Sequence, residues 1–155
     1  MNPPDGSGPR VRTKSFNYEA HLMWREGRKG DLTLGGPKPA LLVGSPPEFQ
    51  GDPENISPED LFLGAIATCQ MTTFLAFAER TGLEFSAYED RCCGRMEIVD
   101  GKLVFTEVTL RPQVTVKSDE GRARALQLLE DAHYKCAIAN SVRCPVRLEP
   151  AVVVK

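Results

Sequence analysis

The 155-residue sequence is poor in most of the features by which a chain declares its partners. It has no excess of one charge: 19 lysines and arginines face 21 aspartates and glutamates, for a formal net charge of -2. That balance supplies no broad basic surface for nucleic acid or for an anionic membrane. No apolar run approaches the roughly 18 residues of a membrane-spanning helix. Met1 to Arg10 has no apolar segment of the kind a secretory signal needs, and its Pro, Gly and polar content reads as a disordered tail over residues 1–13. A cytoplasmic protein is expected, with one domain over residues 14–155. C-x-x-C spacing is missing too, so neither a zinc site nor a thioredoxin-type motif is indicated, and no cofactor is expected.

What the chain does carry is five cysteines, at 69, 92, 93, 136 and 144. The count is odd, and cytosolic disulfides, where they form, are usually transient and catalytic or redox-sensing. The useful question is which thiols are placed to react.

Hydrophobic periodicity supplies the frame. Phe16, Tyr18, Ala20, Leu22 and Trp24 alternate with polar neighbours and predict a strand with one buried face. A turn at Arg25 to Gly30 follows, with Asp31 to Leu34 pairing back. Four prolines break up residues 35–52, leaving Ala40 to Val43 as a short strand. Ser57-Pro58-Glu59-Asp60 announces a helix: a capping serine, a proline at the first helical position, and two carboxylates at the positive end of the dipole. Leu61 to Arg80 is apolar nearly all round, which predicts a buried central helix ended by Gly82. Phe85 to Arg91 and Gly94 to Val99 read as strands, Asp100-Gly101 as a hairpin turn, and Lys102 to Lys117 as a long strand with Pro112 at an interruption or edge. Ser118 or Asp119 caps a second, amphipathic helix. A kink or short helix follows near Cys136, and Pro145 to Val154 closes as a strand. The fold class is α+β, with antiparallel sheets packed on a long buried central helix.

Among the thiols, Cys69 falls in the middle of the first helix, on a face shared with Ala65, Thr72, Thr73 and Ala76. Its small, hydroxylated neighbours leave room for a substrate or a second sulfur, although free cysteine is also among the most buried residue types. Cys136 lies at the end of the second helix, three residues after His133. Cys92 and Cys93 are adjacent in a strand and point to opposite faces, and with Cys144 they read as incidental. A reactive Cys69 must ionise near neutral pH. The helix dipole fades within a turn, so a cation is expected to supply the stabilisation, with Arg25, Arg28 and Arg80 the candidates.

These blocks resemble the OsmC/Ohr family of thiol-dependent hydroperoxide reductases. The resemblance is carried by Ser57-Pro58-Glu59-Asp60-Leu61 through Ala67-Thr68-Cys69-Gln70-Met71-Thr72, by Phe105-Thr106-Glu107 with Leu110-Arg111-Pro112, and by Ala132-His133 through Cys136 to Ser141. It implies an OsmC-like fold in an intertwined homodimer with active sites at the subunit interface. It further implies Cys69 as the peroxidatic cysteine, Cys136 as the resolving one, Glu59 as the active-site carboxylate and Arg28 as its arginine, with Arg25 close enough to leave a choice. The substrate implied is an organic hydroperoxide, with hydrogen peroxide left open. The reductant implied is an external dithiol, which lipoylated proteins provide in one branch. Gln70, where the organic-hydroperoxide branch commonly has an aromatic residue, places the chain nearer the OsmC-like branch. An apolar site rimmed by Phe62, Ile66 and Phe77 would suit bulky hydroperoxides, although the same residues also suit a core. A redox sensor or a small-ligand binder on the same fold is the alternative, and a metal site built from Cys92, Cys93 and His21 a third. Glu59 and Cys69 stand ten residues apart, about 15 Å along a straight helix. Their cooperation needs a non-helical start at Glu59, a bridging Arg28 or a second subunit.

Overall fold

The computed structural model describes residues 14–155, so the tail expected over 1–13 lies outside the described residues. The chain divides into two compact units that meet in sequence between Asn55 and Ile56.

The first unit holds a three-stranded antiparallel sheet: β1 (Ala20–Glu26), β2 (Lys29–Leu34) and β3 (Leu41–Gly44), with β2 in the middle. The turn from β1 to β2 falls at Gly27 and Arg28. Gly27 has a positive φ of 50°, and its carbonyl accepts from Trp24 Nε1 at 3.1 Å. A 3₁₀ turn at Pro47–Phe49 follows. The strands fall where periodicity puts them, but β1 does not bury one face: all seven of its residues are exposed, and Trp24 is 76% exposed. A buried face requires a second layer, and among the described residues of this unit only Gly30 and Asn55 are buried.

The second unit is built on a β4–β5 hairpin. β4 (Ala87–Val99) and β5 (Lys102–Val116) turn at Asp100 and Gly101, whose φ values of 49° and 74° match the primed turns that suit hairpin twist. β4 is continuous through Cys92, Cys93 and Gly94, where two strands were expected. A Cβ at Gly94 would stand 2.7 Å from the Phe105 ring and 2.8 Å from Leu63, so the strand passes there only because that residue has no side chain. β6 (Val146–Leu148) and β7 (Ala151–Val154) both add to β5 in parallel, making a mixed sheet where an antiparallel one was expected. The reason is topological: β5 runs into the second helix, and the chain returns to the same end before pairing. Pro112 is buried inside β5 in the gap between the β6 and β7 pairings, a position where a missing N–H breaks no ladder bond on that side.

Two helices cover one face of this sheet. α1 (Pro58–Thr81) starts with a full capping box. Asp60 N donates to Ser57 Oγ at 3.0 Å, and the Ser57 N–H donates back to Asp60 at 2.9 Å. It stops at Gly82, with φ 69°. α2 (Asp119–Lys135) is capped by Ser118, whose Oγ accepts from Gly121 N at 3.1 Å. The inward residues of β5 (Val108, Leu110, Val114 and Val116) are fully buried at period two. The first pair packs with Ile66 of α1, and the second with Phe74 and Ala78 of α1 and Ala125, Leu128, Leu129 and Ala132 of α2.

The two helices use their surfaces differently. α2 buries Ala125, Leu128, Leu129 and Ala132, a stripe displaced from the expected Ala123, Leu126, Leu129 and Ala132 or His133: Ala123 is exposed and Leu126 half-buried. α1, expected to be buried on every side, buries only Ile66, Gln70, Phe74 and Ala78 within the chain, and Gly64, Ala65, Thr68, Thr72, Leu75 and Ala76 stay exposed. A further correction concerns length. Over 18 residues α1 reaches a mean hydropathy of 1.7, enough by length and composition to cross a membrane, because its threonines and Gln70 dilute the apolar run less than charges would. Its buried stripe is nonetheless built into the sheet's core.

Candidate functional site

Cys69 and Cys136 come together in the second unit. Cys69 lies in mid-helix on α1, one residue before the buried Gln70. Gln70 Nε2 donates to the Leu129 carbonyl on α2 at 3.0 Å, tying the helices at this level. Cys136 is the C-cap residue of α2 and is fully buried. The two thiols lie close enough for each to shift the other's ionisation, and both are free.

Past Cys136 the chain turns sharply, and its backbone amides point back at the two sulfurs. Ala139 N–H donates to Cys136 Sγ at 3.4 Å, while the amides of Ile138 and Ala137 lie near enough to Cys69 to favour its thiolate. Successive amides converging in this way form an anion-binding nest. Its electrostatic result is an unequal pair. Burial resists ionisation of Cys69, but the Ile138 amide, the Cys136 thiol, the Ala137 amide and the Thr73 hydroxyl together outweigh it. They hold the Cys69 thiol below the ordinary cysteine range. Cys136 goes the other way: burial, only partly offset by the Ala139 amide and aggravated by Cys69, pushes it up to about 11. Cys69 is therefore the more acidic thiol of the pair, and Cys136 is held as a thiol.

This source of stabilisation is not the one expected. Each arginine proposed for the role has a partner in its own unit. Arg25 pairs with Asp31 at 2.8 Å across β1 and β2. Arg28 donates to the Phe49 carbonyl and, at 3.1 Å, to Gln50 Oε1. Arg80 lies over the Phe77 ring, 4.9 Å from its centroid, at the far end of α1. The amide nest was invisible in the sequence because any residue but proline supplies an N–H. The only signal was a run of small and apolar residues, Ala137-Ile138-Ala139, directly after a helix that stops.

Beside Cys69 an open groove of about 470 Å³ runs along the exposed face of α1, lined by Leu61, Gly64, Ala65, Thr68, Thr72 and Ile138 and ending at Asp60. The apolar rim expected from Phe62, Ile66 and Phe77 is elsewhere. Ile66 is fully buried, Phe62 stacks on Phe105 at 4.5 Å, and Phe77 packs against the core. Those residues take the core role left open for them.

Glu59 is helical, in the first turn of α1, which removes the possibility that the chain folds back there to reach Cys69. Its Oε2 is shielded from solvent and has no hydrogen-bond partner. Of the remaining cysteines, Cys92 is half-buried against the core and Cys93 is exposed on the other face, so neighbouring thiols cannot grip one ion. Burial, helped by the charges of Asp90 and Cys93, pushes Cys92 up to about 11. Cys144 packs on the same cluster. Among the described residues no group of three or more His, Cys, Asp or Glu side chains is placed to hold a metal.

An α+β sheet covered by two helices that bring a mid-helix cysteine against a helix-end cysteine defines a thiol-pair protein of a known architecture. A family model described as OsmC-like protein matches residues 51–151, and the chain belongs to that OsmC/Ohr family. It is 30% identical over 135 residues to the uncharacterized protein YmaD of Bacillus subtilis, covering 85% of this chain and 90% of that one. Among solved structures, an OsmC-like protein of unknown function from Vibrio cholerae superposes with a TM-score of 0.77 at 26% identity, covering 88% of this chain and 99% of the other. An organic hydroperoxide resistance protein from Elizabethkingia anophelis shares the fold at a TM-score of 0.72 and 17% identity, covering 94% of this chain and all of that one.

Proposed function

We propose that this protein is a cysteine-based peroxidase that reduces organic hydroperoxides. The observation that carries the reading is the closeness of Cys69 and Cys136, with their acidities displaced in opposite directions. The Cys69 thiolate attacks the terminal peroxide oxygen, the O–O bond breaks, and the alcohol leaves after taking a proton, with a sulfenic acid on Cys69. Cys136 then attacks that sulfur, forming a disulfide and releasing water. An external dithiol, such as a lipoyl group on a partner protein, reduces the disulfide by exchange. The groove beside Cys69, apolar and floored by glycine, alanine and threonine, suits an alkyl or aryl substituent.

Arg28 and Glu59 complete the proposal as the pair that orients the peroxide. The buried, unpartnered Glu59 Oε2 supports a cation at that end of α1, and the guanidinium fork suits a carboxylate. Residues 14–155 are read as one OsmC-like domain working in an intertwined homodimer in the cytoplasm. Support for the dimer comes from apolar surface the single chain leaves open: Tyr18, Leu22, Met23 and Trp24 in the first unit and the groove face of α1 in the second.

The test is consumption of cumene and tert-butyl hydroperoxide, beside hydrogen peroxide, with dihydrolipoamide or dithiothreitol as reductant. Wild type is expected to turn over and Cys69→Ser to show none. Cys136→Ser is expected to react once and then accumulate sulfinic acid. Arg28→Ala should slow the first step more than Arg25→Ala; the reverse would move the arginine role. No turnover by folded, reduced wild type would sink the peroxidase and favour a sensor or ligand-binding protein on the same fold.

A further inference from the structure

The inward stripe of α1 is Ile66, Gln70, Phe74 and Ala78, and it includes a primary amide where packing calls for an apolar side chain. Gln70 is fully buried. Its Nε2 donates to the Leu129 carbonyl on α2 at 3.0 Å, while its Oε1 is shielded from solvent and has no hydrogen-bond partner. A half-satisfied amide is a poor way to stabilise a core, because methionine or leucine would fill the space without stranding an acceptor. What the amide adds is direction. Around it the helices meet through apolar side chains, Phe74 and Ala78 against Ala125, Leu128, Leu129 and Ala132, and apolar attraction is non-directional.

Gln70 also sits where the register of the two helices matters for chemistry. It follows Cys69 directly, and Leu129 lies two helical turns before Cys136, so the bond joins the stretches of α1 and α2 that carry the thiols. The groove shows the same stretches together from outside, since Cys69 and Ile138, two residues past Cys136, both line it. A disulfide closes over a narrow window, with Cα atoms about 4.4–6.8 Å apart. A slip of one residue along a helix is about 1.5 Å, more than half the width of that window.

Resting on the peroxidase reading above, we propose that Gln70 is a positioning residue, whose hydrogen bond to the Leu129 carbonyl sets the register of α1 on α2 in which the Cys69–Cys136 disulfide closes.

The role belongs to the second step of the reaction. Peroxide meets Cys69 from the groove on the exposed face of α1, whereas Gln70 faces inward, so sulfenic acid formation does not need the tie. Closure does. The Cys136 sulfur must reach the Cys69 sulfenic sulfur; the S–S bond forms, the S–O bond breaks, and the hydroxide leaves as water with the thiol proton. Gln70 gives its N–H to backbone, not to a reacting atom. Without that bond the sulfenic acid waits longer for Cys136, and a second peroxide can take it to sulfinic acid.

The test is single-turnover oxidation of the full chain by cumene hydroperoxide in wild type, Gln70→Met and Gln70→Glu. Sulfenic acid is read by dimedone trapping and disulfide by intact mass. Methionine keeps the length and loses the donor; glutamic acid, held protonated by burial, keeps a donor for the carbonyl. Sulfenic acid is expected at wild-type rate in all three. Closure should be about tenfold slower or more in Gln70→Met, with sulfinic acid rising as peroxide is raised, and intermediate in Gln70→Glu. The urea midpoint of Gln70→Met should equal or exceed that of wild type, which separates register from stability. Closure at wild-type rate in Gln70→Met, or a slowing of both steps alike with a lowered urea midpoint, would overturn the proposal and leave Gln70 a packing residue. Diamide, which oxidises two thiols to a disulfide without peroxide, keeps this proposal apart from the peroxidase. Wild type that forms no sulfenic acid would sink the peroxidase, yet slower diamide closure in Gln70→Met would still establish the register role, and equal closure would overturn it.

Discussion

α1 and α2 lie on the same sheet, and they solve the burial problem in different ways. α2 is amphipathic: Ala125, Leu128, Leu129 and Ala132 go inward and its charged residues outward, with Tyr134 its one large hydrophobic side chain left exposed. α1 is apolar on nearly every side, yet only the Ile66, Gln70, Phe74 and Ala78 stripe is enclosed, and that stripe contains a glutamine hydrogen-bonded to the other helix. The surplus apolar face of α1 carries Cys69 and the groove. A helix more hydrophobic than its own core requires leaves apolar surface open, and on α1 that surface lies beside Cys69.

The comparison breaks most visibly in the core the two helices share. Phe74→Ala on α1 and Leu129→Ala on α2 should each cost about 2–5 kcal/mol of unfolding free energy by urea titration, because both side chains are fully buried in one cluster. A cost below about 1 kcal/mol at Phe74 would mean that α1 is held by something other than this stripe.

A sharper test lies where α2 ends. Ile138 has φ -72°, which a proline accepts, so Ile138→Pro removes one N–H from the Cys69 sulfur without forcing that torsion. The sign is fixed by the thiolate: losing a donor to the charged form raises the Cys69 pKa. Alkylation by iodoacetamide should therefore rise through its midpoint at higher pH in the variant, by about one pH unit for about 1.4 kcal/mol of lost stabilisation. An unmoved midpoint would show that the nest does not set the acidity of Cys69. The smallest effect belongs to the open face of α1. Thr68→Ala and Thr72→Ala should leave stability within about 0.5 kcal/mol while changing KM for bulky hydroperoxides more than kcat. A large stability loss there would show that the groove face is covered in the folded protein.

Local structure was legible wherever a residue's own chemistry decided it. Ser57, Pro58, Asp60 and Gly82 mark the ends of α1, Ser118 starts α2, and Asp100-Gly101 turns the long hairpin, each by a capping bond or a torsion that the residue type itself supplies. Cys69 and Cys136 stood out for their helical settings and the resemblance those settings carry. Less was legible where the outcome depended on what lies across a gap. β1 alternates like a half-buried strand but has no layer over it in its own unit. Phe62, Ile66 and Phe77 fit a pocket rim or a core equally well by hydrophobicity, and only packing separates the two.

By itself, then, the sequence determined the elements and the helix ends, because capping, turn torsions and periodicity act within a few residues. The tertiary structure decided that the Cys69 and Cys136 sulfurs come together, that β6 and β7 run parallel to β5, and that Cys69 rather than Cys136 is the acidic thiol. Such outcomes depend on backbone amides and buried surfaces brought together from segments some 70 residues apart. An amide has the same character in every residue but proline, so its effect on a sulfur exists only once folding has aimed it.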